Sequence, residues 1–236
     1  MTARRVLVTG GASGIGLAAT MALLEDGATV AIADLRFDER SNELPVERIP
    51  TDVTSEDDAR RAVTQAHAAL GGLDVVIHCA GITREQNRDI REITLKSWQS
   101  VISVNLTGTF LIARESVRVM APNGGGVLIL VGSGAGTTGP SGSIPYGASK
   151  GGVNGLVMTL AEHLSPLGFR VHNFMPGTVD TALIQDSYDE ALSNGAGREG
   201  VERERSNLTD PASVGRVLAF LASAGADAMK GNVITR

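Results

Sequence analysis

Tyr146 and Lys150 stand four residues apart in Tyr146-Gly-Ala-Ser-Lys150, a spacing that puts phenol and ammonium on one face of a helix. A phenol is a useful proton-transfer group only when something stabilises its anion, and a neighbouring ammonium does so directly. Its pKa near 10 must fall by about three units for work at neutral pH, which is roughly 4 kcal/mol. One positive charge about 4 Å away supplies energy of that order at moderate dielectric. Arginine outnumbers lysine eighteen to three in this chain, yet this position is lysine, a compact ammonium able to join a proton relay. Ser133 lies thirteen positions upstream, where an apolar run ends, placed to bond a substrate oxygen.

The second constellation is Thr9-Gly-Gly-Ala-Ser-Gly-Ile-Gly16, between an apolar run and a helical pattern. A tight turn, close backbone approach to a pyrophosphate, and helix N–H groups aimed at the anion all call for glycines there. Gly10, Ser13, Gly14, Ile15 and Gly16 are therefore candidate contacts of a dinucleotide. Asp34 ends the next apolar run, eighteen residues after Gly16, where a carboxylate can bond the adenosine ribose hydroxyls. The same charge repels a 2′-phosphate, by roughly 4 kcal/mol at about 4 Å and moderate dielectric before screening, which favours NAD over NADP. Arg36 nearby is expected to be a surface arginine, although a guanidinium can accept that phosphate. Asp52-Val53 either meets the adenine edge or helps to cap the following helix. A dinucleotide loop with a Ser/Tyr/Lys set argues for hydride transfer to or from a carbonyl.

The elements that must position these groups alternate as short apolar runs and longer amphipathic ones, the pattern of βαβ units and a parallel sheet. Strands are expected near Arg5–Thr9, Thr29–Asp34, Val46–Ile49, Leu73–His78, Gly126–Val131, Arg170–Met175 and Asn232–Ile234. Thr54-Ser55-Glu56-Asp57-Asp58 offers a hydroxyl cap and first-turn acids ahead of Ala59–Leu70. Asp210-Pro211 is a cap followed by proline at the first helical position, opening Ala212–Ala222. Leu95–Met120 reads as one long helical stretch lying on the sheet. Gly132–Ser143 and Thr178–Thr209 read as loops, the second a long excursion expected to wall the substrate pocket with Leu183, Ile184 and Tyr188. Its arginines (Arg198, Arg203, Arg205) read as a solvated helix face rather than a docking site for an acidic partner.

Composition sets the outer bounds. At 236 residues and 42% hydrophobic, the chain suits one packed domain over residues 1–236. A net charge of −5 gives no reason to expect nucleic acid, and no run approaches a membrane span. The strand pattern begins too early for a signal peptide, and the single Cys79 excludes an internal disulfide framework, so a cytoplasmic location is expected.

With Thr9–Gly16, Asp34, Asn105, Ser133, Tyr146, Lys150 and Pro176-Gly177 in this order, the chain resembles the short-chain dehydrogenase/reductase family over Arg5 to Ile234. The resemblance implies a doubly wound Rossmann-type α/β domain with helices on both faces of a seven-stranded, mostly parallel sheet in order 3-2-1-4-5-6-7. It implies a catalytic tetrad of Asn105, Ser133, Tyr146 and Lys150, with Asn105 holding water in the relay and Lys150 also bonding the nicotinamide ribose. It further implies that Pro176, Gly177, Val179 and Thr181, more than Thr178, approach the nicotinamide carboxamide. A homodimer or homotetramer packed through the helices around Leu95–Met120 and Ser149–Leu164 is expected by the same analogy.

Two departures matter. His78-Cys79-Ala80-Gly81 stands where the family usually has Asn-Asn-Ala-Gly; Ala80 and Gly81 still let a cofactor approach the backbone. His78 reads as a bonded structural histidine, and Cys79 as a small core residue without a partner. The other histidines have no metal-ligand spacing, so no metal is expected. The chain ends at Arg236, where members of the family usually continue into a Val-Asp-Gly-Gly-like segment, which leaves assembly more open than catalysis.

The expectation is thus an NAD(H)-dependent oxidoreductase that interconverts a small secondary alcohol and a ketone. A non-catalytic dinucleotide sensor or scaffold would need the glycine loop but not the tetrad, and a sugar-nucleotide epimerase would need a larger C-terminal domain. An NADPH-dependent 3-oxoacyl reductase is the alternative among enzymes. Polyols, 3-oxoacyl thioesters, steroids and cyclic ketones all remain open as substrates.

Overall fold

The structure, a computed structural model, describes residues 4–235, so the chain end at Arg236 lies outside the described residues. Seven strands form one sheet: β1 (Arg5–Thr9), β2 (Thr29–Asp34), β3 (Glu47–Pro50), β4 (Val75–His78), β5 (Gly126–Val131), β6 (Phe169–Met175) and β7 (Gly231–Ile234). Their order is β3-β2-β1-β4-β5-β6-β7 and every pairing is parallel. The expected order holds, and the sheet is parallel throughout.

Both faces are covered, so most of the strands are almost uninterruptedly apolar. Val6, Val8, Ile32 and Ile77 pack with Leu23 and Leu218 of α1 (Gly14–Glu25) and α9 (Pro211–Ala222). Leu7, Val76, Leu128 and Leu130 face α3 (Glu56–Leu70), α5 (Gly108–Met120) and α6 (Ile144–Leu164) through Val63, Ile112 and Val153. Burying each large aliphatic side chain contributes about 1.5–3 kcal/mol before entropy is charged against it.

The helix starts follow the local chemistry. Ser55 caps α3 by accepting from the Asp58 N–H at 3.2 Å, with three acids in the first turn. Asp210 accepts from the Ala212 N–H at 3.1 Å, and Pro211 takes the first helical position of α9, where a missing N–H costs nothing. Between β2 and β3 a four-residue helix, α2 (Glu39–Asn42), is closed by a capping box of Asp38 and Ser41 that the sequence reading passed over.

Two stretches differ from expectation. Leu95–Met120 is helical throughout, but α4 (Leu95–Ile102) and α5 are joined by a wide π-type turn at Ser103–Thr107. Asn105 lies in that turn with its side chain bound to another segment, and the Thr109 hydroxyl takes its carbonyl at 2.6 Å. Residues 178–209 are no open loop. They contain α7 (Ala182–Ser193) and α8 (Arg198–Arg205), closed at the base where Thr209 N–H donates to the Thr178 carbonyl at 2.8 Å. Leu183, Ile184, Ser187, Tyr188 and Ala191 repeat at helical spacing, a signal that the surrounding polar residues obscured.

Candidate active site

The carboxyl ends of β1, β2, β4, β5 and β6 open into one cleft of about 1000 Å³. At one end the glycine loop turns from β1 into α1. Gly10 has φ +69°, and a Cβ on it would lie 2.6 Å from the Ala80 nitrogen, so the two loops touch only because position 10 is glycine. Ser13 precedes α1 without capping it, and no acid occupies the first turn. The helix therefore presents its first N–H groups to the cleft with no side chain answering them, an arrangement that suits a phosphate-bearing ligand. Ser13, Gly14, Ile15 and Gly16 line this end, and Thr181 closes over it, its methyl 3.3 Å from the place a Gly14 Cβ would take.

Asp34 stands at the tip of β2, its carboxylate accepting from the Ala12 N–H at 3.0 Å and the Arg36 N–H at 3.4 Å. The Arg36 side chain is exposed. Asp52 and Val53 also line the cleft, but the Asp52 carboxylate is already bonded to Thr54 N–H at 2.9 Å and its hydroxyl at 2.7 Å. The two bonds to Thr54 fall on one oxygen of Asp52, which helps to hold the approach to α3 while the residue lines the cleft; Val53 is buried beside Gly108.

The other end of the cleft gathers Ser133, Tyr146 and Lys150. Ser133 follows β5, its oxygen accepting from the Ala135 N–H at 3.1 Å and its hydroxyl close enough to the Tyr146 phenol to lower the phenol's pKa. Lys150, one turn further along α6 and 5% exposed, donates from Nζ to the Val131 carbonyl at 2.7 Å. Its ammonium lies 5.7 Å from the centre of the Tyr146 ring. Burial pulls the Lys150 pKa down to about 8. Burial also raises the Tyr146 phenol, and the Ser133 hydrogen bond lowers it by less. For each group taken alone, burial thus disfavours the charged form.

Asn105 is fully buried, its Oδ1 accepting from Ile82 N–H at 2.8 Å and its Nδ2 donating to the Ile82 carbonyl at 2.9 Å. The same Nδ2 reaches the Ser149 hydroxyl at 3.0 Å, which in turn donates to the Tyr146 carbonyl at 2.7 Å. Ser149 is the member that sequence reasoning missed, although its place three residues after Tyr146 allows this back-bond. Gly81 lies between the two sets: a Cβ there would meet Asn105 Oδ1 at 3.4 Å and Lys150 Nζ at 3.7 Å.

His78 is buried with Nδ1 2.6 Å from the Thr9 hydroxyl, and burial pushes its pKa down to about 3, so the ring is neutral at physiological pH. Burial pushes the Cys79 thiol up to about 12, which keeps it protonated. Pro176, Gly177, Thr178 and Val179 line the cleft after β6, as do Leu183, Ile184 and Tyr188 from α7. Arg205 is paired with Asp189 and stacked 5.6 Å from the Tyr188 ring, so it braces the two helices, whereas Arg198 and Arg203 are exposed.

A match to the short chain dehydrogenase family spans residues 4–192. The chain belongs to that family. Members use NAD or NADP, act on small molecules and commonly form oligomers. This short-chain dehydrogenase is 34% identical to cis-4-hydroxycyclohexanecarboxylate dehydrogenase of Sinomonas cyclohexanicum, over 98% of this chain and 94% of that protein. It is also 34% identical to the 3-oxoacyl-acyl-carrier-protein reductase MabA of Mycobacterium tuberculosis, covering 98% and 90%. Among solved structures it is similar to levodione reductase, with a TM-score of 0.89 and 27% identity over 98% of this chain and 95% of that one. It is an enzyme of the alcohol dehydrogenase and carbonyl reductase kind. Among the described residues, no helix is long and apolar enough to cross a membrane.

Proposed function

We propose that this short-chain dehydrogenase interconverts a secondary alcohol and a ketone with NAD(H), using Tyr146 as the acid/base. The observation that carries the reading is one cleft with the uncapped α1 start and Asp34 at one end and Ser133, Tyr146 and Lys150 gathered at the other.

With NADH held in this cleft, the cofactor would supply the hydride in the reducing direction. Ser133 and Tyr146 bind the substrate oxygen, and the phenol donates its proton to that oxygen as negative charge develops on it. In the oxidising direction the phenolate takes the proton back. Lys150, fixed by the Val131 carbonyl, keeps a positive charge beneath the phenol and favours its anion. Asn105 holds the loop after β4 and, through Ser149, the first turn of α6, so it is assigned a positioning part beside any water-holding one.

The cofactor-contacting set is Gly10, Ser13, Gly14, Ile15, Gly16, Asp34, Asp52, Val53, Ala80, Gly81, Pro176, Gly177, Val179 and Thr181, with Tyr146 and Lys150 at its reacting end. Preference for NAD rests on the Asp34 charge. The exposed Phe110 of α5 and Met158 of α6 fit a dimer or tetramer, and the single unpaired Cys79 fits a cytoplasmic enzyme.

The test is a spectrophotometric screen of secondary alcohols and ketones with both NAD and NADP forms. Turnover with NAD supports the whole reading. Turnover with NADP alone transfers it to the 3-oxoacyl reductase alternative and to Arg36. Binding of NADH without turnover of any compound favours a sensor.

A further inference from the structure

Between β4 and α4 the chain passes through Ile82–Asn87, and two of these residues are left-handed: Glu85 at φ 60° and Asn87 at φ 53°. Among the described residues they are the only non-glycine positions with positive φ. Side chains adopt that conformation rarely, asparagine more readily than glutamate, and it persists where surrounding bonds over-determine it.

Those bonds come from two directions. From the catalytic side, Asn87 N–H donates to the Gly142 carbonyl at 2.8 Å, and Ser143 donates from its hydroxyl to the Arg84 carbonyl at 2.5 Å. The same Ser143 oxygen caps α6 by accepting from the Tyr146 N–H at 3.2 Å. From the pocket wall, Glu85 N–H donates to Glu190 at 3.0 Å, and Asn87 and Asn194 are clasped reciprocally. Asn87 Nδ2 donates to the Asn194 carbonyl at 3.0 Å, and Asn194 Nδ2 to the Gln86 carbonyl at 2.7 Å.

Together these contacts hold the backbone at and beside Gln86, and Gln86 lines the cleft. Its Nε2 donates to the Thr83 hydroxyl at 2.7 Å, which sets the carboxamide orientation. Its Oε1 lies against Gly142, where a Cβ would come within 2.7 Å of it, and no protein donor among the described residues reaches it. In the same cleft, α7 and α8 contribute the apolar Leu183, Ile184, Ala191 and Val201 beside the polar Ser187, Tyr188 and Glu204.

We propose that Gln86 is a substrate-reading residue, whose carboxamide oxygen accepts a hydrogen bond from a hydroxyl of the substrate other than the oxygen that reacts. The inference rests on the alcohol/ketone reading above and deepens it: the substrate class is a ketone or secondary alcohol carrying a second hydroxyl group. The strained strap and the Asn87–Asn194 clasp hold that reader at a set distance from Tyr146.

The test compares cyclohexanone with its ring-hydroxylated isomers as substrates with NADH, in wild type, Gln86→Leu and Gln86→Glu. One hydrogen bond of ordinary strength predicts that wild type favours at least one isomer about tenfold in kcat/KM. Gln86→Leu is expected to shrink that preference to about twofold through KM, and Gln86→Glu, which keeps an oxygen in place, to retain most of it. A preference undiminished in Gln86→Leu, or an equal fall of kcat on all the ketones, overturns the proposal and leaves Gln86 a brace. If wild type binds NADH but reduces none of these ketones, the alcohol/ketone reading is the one contradicted. Binding then decides on Gln86: a hydroxylated isomer must raise the Tm of the NADH complex more than cyclohexanone does, in wild type but not in Gln86→Leu, and equal shifts overturn the proposal.

Discussion

Asn105 and Ile82 are bound to each other twice, side-chain amide against backbone N–H and C=O, at 2.8 and 2.9 Å. This pair ties the wide turn between α4 and α5 to the segment that follows Gly81. It also explains why an asparagine sits inside a helical stretch, where its propensity alone would disfavour it.

Replacing Asn105 by alanine strands the Ile82 N–H and carbonyl and removes the donor to Ser149. Leaving buried groups unsatisfied costs about 1–3 kcal/mol each, so a loss of roughly 3 kcal/mol is expected. For a domain of this size that corresponds to about 6–12 °C in Tm, read by calorimetry, together with reduced turnover. An unchanged Tm would mean that the pair holds nothing in place.

Lys150 makes a pH prediction with a definite sign. Its folded pKa of about 8 lies below the ordinary 10.5, so burying the ammonium costs stability at neutral pH. The cost is relieved as pH rises from about 8 to 10.5, where the unfolded chain binds the extra proton. Lys150→Met has no such cost. Relative to that variant, wild type is expected to gain up to roughly 3 kcal/mol across the window, measured as the difference in unfolding free energy at stepped pH. A difference that stays flat would show the ammonium to be solvated.

Asp34 predicts cofactor choice. Asp34→Ser removes the charge that faces a 2′-phosphate and leaves Arg36 free to approach it. The kcat/KM ratio of NAD to NADP is expected to fall at least tenfold, about 1.4 kcal/mol, well within what one carboxylate supplies. If the ratio is the same in both proteins, discrimination lies elsewhere in the cleft.

Much of this was legible in the chain because the decisive signals are local. Gly10 through Gly16, Asp34 and the Tyr146–Lys150 spacing each follow from what a short segment must do, and strand bounds such as Arg5–Thr9 and Gly126–Val131 are marked by apolar runs between breakers. What escaped depends on partners far apart in sequence. Ser149 and Asn105 meet across 44 positions, and Asn87 and Asn194 across 107. The helices α7 and α8 were hidden because their buried face is short and their charged residues dominate the average. The phenol's surroundings lay beyond a local reading for a related reason. Spacing places Lys150 beside Tyr146, but only the packed structure shows how much burial both groups suffer.

The most direct test of the central claim is Tyr146→Phe, assayed for NADH oxidation with a ketone that wild type reduces, and for NADH binding by fluorescence. General acid catalysis of this kind is worth about 10²–10⁴ in rate, so turnover should fall by at least a hundredfold while NADH affinity stays within a few-fold. Turnover within tenfold of wild type would contradict the assignment of Tyr146 as the acid/base.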